Sequence, residues 1–456
     1  MTFLQPDFYV AVNGSEIAIL RVASAFTPGN PDADGSCYGI GSILSDEPVS
    51  VEIRCARSLA ATKILPCNAI ENPVIEDDKI TFQLTKHGTY IFQPETYKDI
   101  PLILFYDSEE TDAPAPDAPG VHYYGPGLHS PGKIELASNE TLYLAAGAVV
   151  EATVWAEGDN IRICGHGVLT QRHLPRGAVR HCLDFYQCNH VELRDFICTD
   201  PCMWNVVFRD SHDILVDNIK ICGSRMINDD AVDICNSTDV VIRNSFIRSR
   251  DDIIAIKGML ERRELTSLKM TDQEMIHNTF DTDRRGIRNV LVENCIFWCD
   301  TANIFRYGYE CIAETMENIT VRNCDIVHVS DCFKSPEAFW CNTVWYLQPS
   351  HRMPMRDLLF EDLRIYVDVP DLVLMKITPM ECGAWTECGT LRNCTFRNIT
   401  VTAPESYRGQ ILIAGADAEH NVENIHLENV TINGKRIDRN FAYLTIGDYA
   451  ENITLN

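Results

Sequence analysis

The sequence predicts an all-β protein: a right-handed parallel β-helix (solenoid) preceded by a small antiparallel β-sandwich domain. Three observations predict it. An apolar unit anchored by Asn or Asp recurs through the C-terminal two thirds of the chain. No amphipathic helical pattern separates its copies, and ahead of it lie short alternating segments cut by Gly, Pro, Asn and Asp. At 456 residues the chain is too long for one ordinary domain, and its 45% hydrophobic content suits a folded protein with a large core.

Taken in order, residues 1–118 carry the segments FYVAV, EIAILRVA, VSVEIRCA, KITFQLT, TYIFQP and LILFY, a period-two pattern that predicts the sandwich. Glu109 to Pro119, EETDAPAPDAP, is rich in proline and acid and reads as a linker. Residues 119–456 are then expected to form the β-helix. Its unit is an Asn or Asp, an apolar triplet with a free middle position, a variable residue, a second Asn or Asp and another apolar pair. Clear copies start at Asp213, Asp239, Asn289, Asn318, Asp357 and Asn424, with weaker ones at Asn160, Asn189, Asn393 and Asn452.

Successive anchors lie 29, 24, 26, 50, 29, 39, 36, 31 and 28 residues apart, the period of a solenoid of parallel strands. The second Asn or Asp of each unit (Asn218, Asn244, Asn294, Asn323, Asp362, Asn398, Asn429) is placed to ladder its amide to the next coil. The 50-residue gap holds an insertion, Met259 to Gly286, whose charged composition suits a loop over one face, either a lid or a plain surface insertion.

A net charge of −26 disfavours nucleic acid and anionic membrane as partners, because both are polyanions. The same field weakly disfavours a polyanionic glycan. No run of 18 apolar residues occurs, and the N-terminus lacks the basic and apolar regions of a secretory signal. The 19 cysteines are odd in number and spread out, and many, such as Cys164, Cys222, Cys235, Cys295 and Cys324, fall in apolar runs where a thiol packs as a small hydrophobe. These features together lead us to expect a reduced, cytoplasmic protein. Cysteines and histidines lack zinc-ligand spacing, so no metal and no cofactor is expected.

Two adjacent coils depart from the repeat in the same place. One carries Ile227-Asn-Asp-Asp-Ala-Val-Asp233, the next Ser249-Arg-Asp-Asp-Ile-Ile-Ala-Ile-Lys257. Neighbouring strands sit about 4.8 Å apart, so Asp230 and the Asp251-Asp252 pair are expected on one face, with Asp229 as a fourth carboxylate. Gathered carboxylates repel, so at least one should hold its proton. An acid that keeps its proton beside an ionised base is what glycosidic cleavage needs. Acidic residues are also common at β-helix turns, where Asp caps backbone amides, and a single Asp-Asp would carry no more than that.

The order N-D-D-A-V-D-I-C, one repeat, then S-R-D-D-I-I-A-I-K-G resembles the N-T-D-G-x-D and D-D-x-I-A-I-K signatures of the polygalacturonase-like glycoside hydrolases of family 28, which are related to the dextranase and isopullulanase family 49. The stretch from His122 to Leu169 is similar to the cap and first coils of bacterial members. The resemblance implies an inverting hydrolase with Asp251 as general acid, Asp230 and Asp252 holding and activating water, and Lys257 in the sugar groove. Asp229 stands at the family's threonine position, so its role is open, and it counts among the substrate-binding candidates. The family's G-H-G after the paired aspartates and its carboxylate-binding R-I-K have no counterpart, the corresponding coil reading Cys299-DTANIFRYGYE. The G-H-G at Gly165 to Gly167 lies upstream, at an ordinary turn. The missing motif and the acidic charge point to a neutral oligo- or polysaccharide as substrate.

Further substrate-binding candidates are Arg306, Tyr309 and Glu310, one coil beyond the aspartates, and His351 in a Pro-bounded turn. Among Trp204, Trp298, Trp340, Trp345 and Trp385, any of which could stack on sugar, Trp204 and Trp340 are the preferred pair. His181 and His328 read as structural. Two other classes share such a fold: a Ca-dependent polysaccharide lyase using the aspartates as a calcium site with Lys257 or Arg306 as base, and a non-catalytic carbohydrate-binding β-helix.

Overall fold

The computed structural model describes residues 7–24, 36–94, 101–226, 228–258, 285–329, 342–379 and 387–456. The candidates Trp340 and Trp385, residues 259–284 of the insertion and the side chain of Glu310 lie outside the described residues. Every regular element among the described residues is a strand.

The chain divides into two compact units, one of residues 1–113 with Gly223–Met226, the other of residues 114–222 and 227–456. The first unit contains two five-stranded sheets. Alternation builds them: Val49–Cys55 buries Val49, Val51, Ile53 and Cys55 and turns Ser50 and Arg54 outward. The inward residues of both sheets, among them Val51, Ile53 and Phe82 from one and Phe92, Leu102 and Leu104 from the other, share a single core. One pairing departs from the antiparallel expectation: Ser36–Leu44 runs parallel to Leu102–Asp107. Period-two patterning specifies which face a side chain takes but not strand direction, and these two strands are too far apart in sequence for a hairpin to set it.

The second unit is a right-handed parallel β-helix whose strands form a continuous thirty-stranded system with parallel pairing between coils. A middle coil contributes three strands, as in His181–Tyr186, Asn189–Arg194 and Ile197–Thr199, whereas in later coils one long strand, such as Pro354–Tyr366 or Thr390–Thr402, replaces the last two. Strands at the same place in successive coils pair in register, so like residues stack. Phe185, Phe208, Ile234, Ile256, Tyr307, Leu347, Ile377 and Ile413 form one such inward row, each fully buried.

The repeat unit acquires a backbone meaning. Both of its Asn/Asp positions take the left-handed conformation, for example Asp239 (φ 57°) with Asn244 (54°) and Asn318 (55°) with Asn323 (50°). Asn and Asp tolerate that region because a short polar side chain bonds locally. In one copy the anchor is displaced: His190 (φ 57°), not Asn189, takes the left-handed position. The amides ladder as expected, Asn294 donating to Asn244 at 3.3 Å, Asn323 to Asn294 at 2.7 Å, Asn398 to Asp362 at 2.9 Å and Asn429 to Asn398 at 2.9 Å. Asp362 has no amide to donate, and Arg364 Nη1 supplies the bond to Asn323 Oδ1 at 3.0 Å instead.

The upstream G-H-G is a packing device. Gly165 has φ 102°, and a Cβ there would lie 2.2 Å from the Leu144 carbonyl oxygen of the preceding coil.

Candidate active site

The site forms on the outward side of the sheet built from His181–Tyr186, Trp204–Arg209, Val232–Cys235, Ile254–Gly258, Asn303–Cys311 and Thr343–Leu347. Val206, Val232, Ile254 and Phe305 pair in register along it. Two residues ahead of each stand Trp204, Asp230, Asp252 and Asn303, one per coil. Parallel stacking therefore sets Asp230 beside Asp252, as the spacing predicted, at a Cα separation of about 4.8 Å.

Asp229 does something else. It is fully buried, and its Oδ1 accepts from Arg250 N (2.7 Å), Asp251 N (3.1 Å) and Ser249 Oγ (3.0 Å). That carboxylate caps the turn presenting Asp251 and Asp252, so Asp229 is a positioning residue, not the sugar contact expected of it. Asp251 adds one bond within the turn, Oδ1 accepting from Asp252 N at 3.0 Å, and one to the coil before, Oδ2 accepting from Asn228 N at 3.1 Å.

The electrostatics separate the carboxylates. Burial, then the charges of Asp230 and Asp252, push Asp251 well above the usual carboxylate range. Burial and Asp230 also raise Asp252, but Lys257, Arg306 and a 2.8 Å hydrogen bond from Asn303 Nδ2 pull it back, leaving it at about 6. Asp233, fully buried beneath them, is raised well above its ordinary value by burial against the opposing pull of Lys257. Lys257 Nζ sits 2.6 Å from Asp230 Oδ2 and 3.2 Å from Asp233 Oδ1. Asp233 was not among the expected site residues, although the D-x-x-D spacing from Asp230 was there to read. The ammonium stands where a cation shared by those two carboxylates would have to sit, and no group of three or more metal-ligating side chains occurs among the described residues.

The remaining candidates distribute unevenly. Arg306 is 1% exposed, donates from Nη2 to Gln348 Oε1 at 2.8 Å, and lies 4.0 Å from the ring centre of Tyr346 and 5.1 Å from that of Tyr309. No carboxylate pairs with it among the described residues, and its Nη1 has no partner there. His351 is buried in its turn (φ 52°), its N–H donating to Glu387 O, two coils past the aspartate pair.

The tryptophan expectation needs correction. Trp345 is wholly core, packed among Phe305, Phe360 and Phe396, since its strand position faces inward. Trp298 is covered by Arg248 (4.5 Å) and by His328 stacked at 4.7 Å, and donates to Asp300 Oδ1 at 2.7 Å. Trp204 does lie on the site face, but only 4% exposed, with His181 stacked on it and Lys257 Nζ 4.1 Å from its ring centre.

Comparison with known proteins follows this geometry. Residues 170–275, the segment that carries all four aspartates, match the family described as glycosyl hydrolases family 28. Over that segment the chain resembles the polygalacturonase-like enzymes. No curated protein sequence matches. Among solved structures, Dex49A from Penicillium minioluteum is similar in fold at 13% identity, with a TM-score of 0.68 over 98% of this chain and 96% of that one. A hyperthermoactive exopolygalacturonase from Thermotoga maritima aligns at 13% identity over 72% of this chain and 83% of its own, with a TM-score of 0.48.

Proposed function

We propose that this chain is an inverting glycoside hydrolase that cleaves O-glycosidic bonds of a neutral oligo- or polysaccharide. The observation that carries the reading is the stacked aspartate cluster with split proton affinities, inside the segment that matches a glycosyl hydrolase family. Asp251, holding its proton, protonates the departing glycosidic oxygen. Asp252 and Asp230 bind a water on the other side of the sugar and take its proton as its oxygen attacks the anomeric carbon. One water is consumed, the configuration inverts, the proton taken by the base carboxylates returns to solvent, and Asp251 regains one. Lys257, whose Nζ lies 2.6 Å from Asp230 Oδ2, orients that carboxylate for this step.

A neutral substrate is supported by how the cations are used. Lys257 is spent on Asp230 and Asp233, and Arg306 counters the charge of Asp252, leaving its Nη1 to donate to a sugar hydroxyl. The R-I-K that grips a uronate carboxylate in the resembled family is absent from the sequence.

The test is a reducing-sugar screen of the purified protein against neutral α-glucans, fructans, galactosides and oligogalacturonates, with Asp251→Asn alongside. Release from a neutral glycan that disappears in the variant, with the product anomer followed by NMR, supports the reading. Release only from oligogalacturonates would overturn neutrality, and calcium-dependent product absorbing near 235 nm would replace hydrolysis by elimination.

A further inference from the structure

The coils on the N-terminal side of the aspartates carry a second polar constellation that hydrolysis as described does not use. His181 pairs in register with Trp204, and the two rings stack at 5.4 Å with 9° between their planes. His181 Nδ1 lies 2.7 Å from Asp184 Oδ2, and Arg209 grips the same carboxylate through Nε (2.9 Å) and Nη2 (2.8 Å). Burial opposes the charge on Asp184, but Arg209 and His181 outweigh it and hold the group below its usual range. Burial also lowers the affinity of His181 for a second proton. The imidazole is therefore neutral, with Nδ1–H donating to Asp184 and Nε2 left as a bare acceptor.

That acceptor is orphaned. His181 Nε2 and Trp204 Nε1 are both buried with no hydrogen-bond partner among the described residues, in side chains 3% and 4% exposed. A buried polar atom without a partner is destabilising, and two on adjacent stacked rings need a common explanation. One is an acceptor and the other a donor, which is what a hydroxyl asks of its surroundings. Low exposure does not set them apart from the catalytic groups, because Asp230 and Asp252 are 2% and 6% exposed on the same face.

We infer that His181 Nε2 and Trp204 Nε1–H together read hydroxyl groups of the sugar bound beside Asp230, on the side away from Asp252, and so determine specificity there. Trp204 thus serves through its N–H edge, its ring already being occupied by His181 and Lys257. The inference rests on the glycoside hydrolase reading and adds a hydroxyl-selective subsite to it.

Two variants each remove one of the two nitrogens. Trp204→Phe retains an aromatic ring without the N–H, and His181→Asn retains an amide donor toward Asp184 without Nε2. The probe is the shortest oligosaccharide that the unmutated protein hydrolyses, together with its singly deoxygenated analogues. We expect each variant to lower kcat/KM on the parent sugar on the order of tenfold. One analogue should already suffer that loss with unmutated protein and lose little more with either variant. If every analogue loses the same factor with the variants as without them, the two nitrogens serve water or packing and the inference fails while the hydrolase reading stands. If unmutated protein releases sugar from nothing, both fall together.

Discussion

At the residue scale, the proposed hydrolysis rests on four aspartates of one chemical type given different tasks by their surroundings. Asp229 is consumed by amides, Asp230 is paired with Lys257, Asp252 titrates at about 6, and Asp251 holds its proton. Asp252 must be ionised to take a proton from water, so kcat/KM should fall as pH drops below about 6, and fall again at high pH as Asp251 loses its proton. Arg306→Gln removes a charge that lowers Asp252, so the acidic limb should move upward in pH. An unmoved limb in the pH-rate profile would dissociate Arg306 from Asp252. Asp251→Asn should lower kcat by about 10²–10⁴-fold and raise stability at the same time. The sign follows from the raised affinity: between the unfolded and folded values the folded state holds a proton that the unfolded chain releases, so stability falls as pH rises through that window. Removing the group relieves that penalty at neutral pH, and the thermal midpoint should rise.

At the element scale, a turn and a ladder do the positioning. The Ser249-to-Asp252 turn is capped by the carboxylate from the coil before, so Asp229→Ala should lower kcat at least about tenfold with little change in KM. Asp229→Asn, which keeps an acceptor oxygen, should restore most of the rate, and equal losses in the two variants would discount the cap. In the Asn ladder, Asn323→Ala should cost roughly 1–2 kcal/mol, from a left-handed position that alanine disfavours and a lost side-chain bond. Asn323→Gly should cost less, because glycine keeps the conformation. Comparison of their thermal midpoints separates backbone from amide. The repeat was readable at this scale because solenoid stacking imposes a residue type at each bend. The one displaced anchor, His190 in place of Asn189, was missed because histidine carries no such signature, although it adopts the same φ.

At the scale of the whole molecule, the acidic balance sets the long-range field. With a net charge of −26, association with the neutral sugar proposed above has no charge on the substrate to steer or repel. Turnover of the neutral substrate should change by less than about twofold between 20 and 500 mM salt, measured as kcat/KM. A steep rise with salt would mean the true substrate is an anion held off by the field. Charge alternates locally on the β-helix surface: along the strands that follow the site-bearing ones in each coil, Asp217, Arg243, Glu293, Arg322, Glu361, Arg397 and Glu428 stack in register with alternating sign. Several pair directly, Arg243 with Asp217 at 2.8 Å and Arg397 with Glu428 at 2.7 Å.

The sequence alone determined the β-helix, its coil period, the ladder and the location of the aspartate cluster, because a solenoid converts regular spacing in the chain into neighbours in space. It also placed Asp230 and Asp252 on one face, since parallel strands in register leave no other arrangement. What only the tertiary structure decided was the task of each group. Whether an aspartate caps amides, as Asp229 does, or stays available depends on which backbone N–H groups reach it. Whether a tryptophan is core, like Trp345, or lies on the groove, like Trp204, depends on the facing of one strand position. That His181 is left with a bare nitrogen follows from which side-chain atoms of Asp184, Arg209 and Trp204 meet it, and coil spacing gives the neighbours but not the atoms that pair.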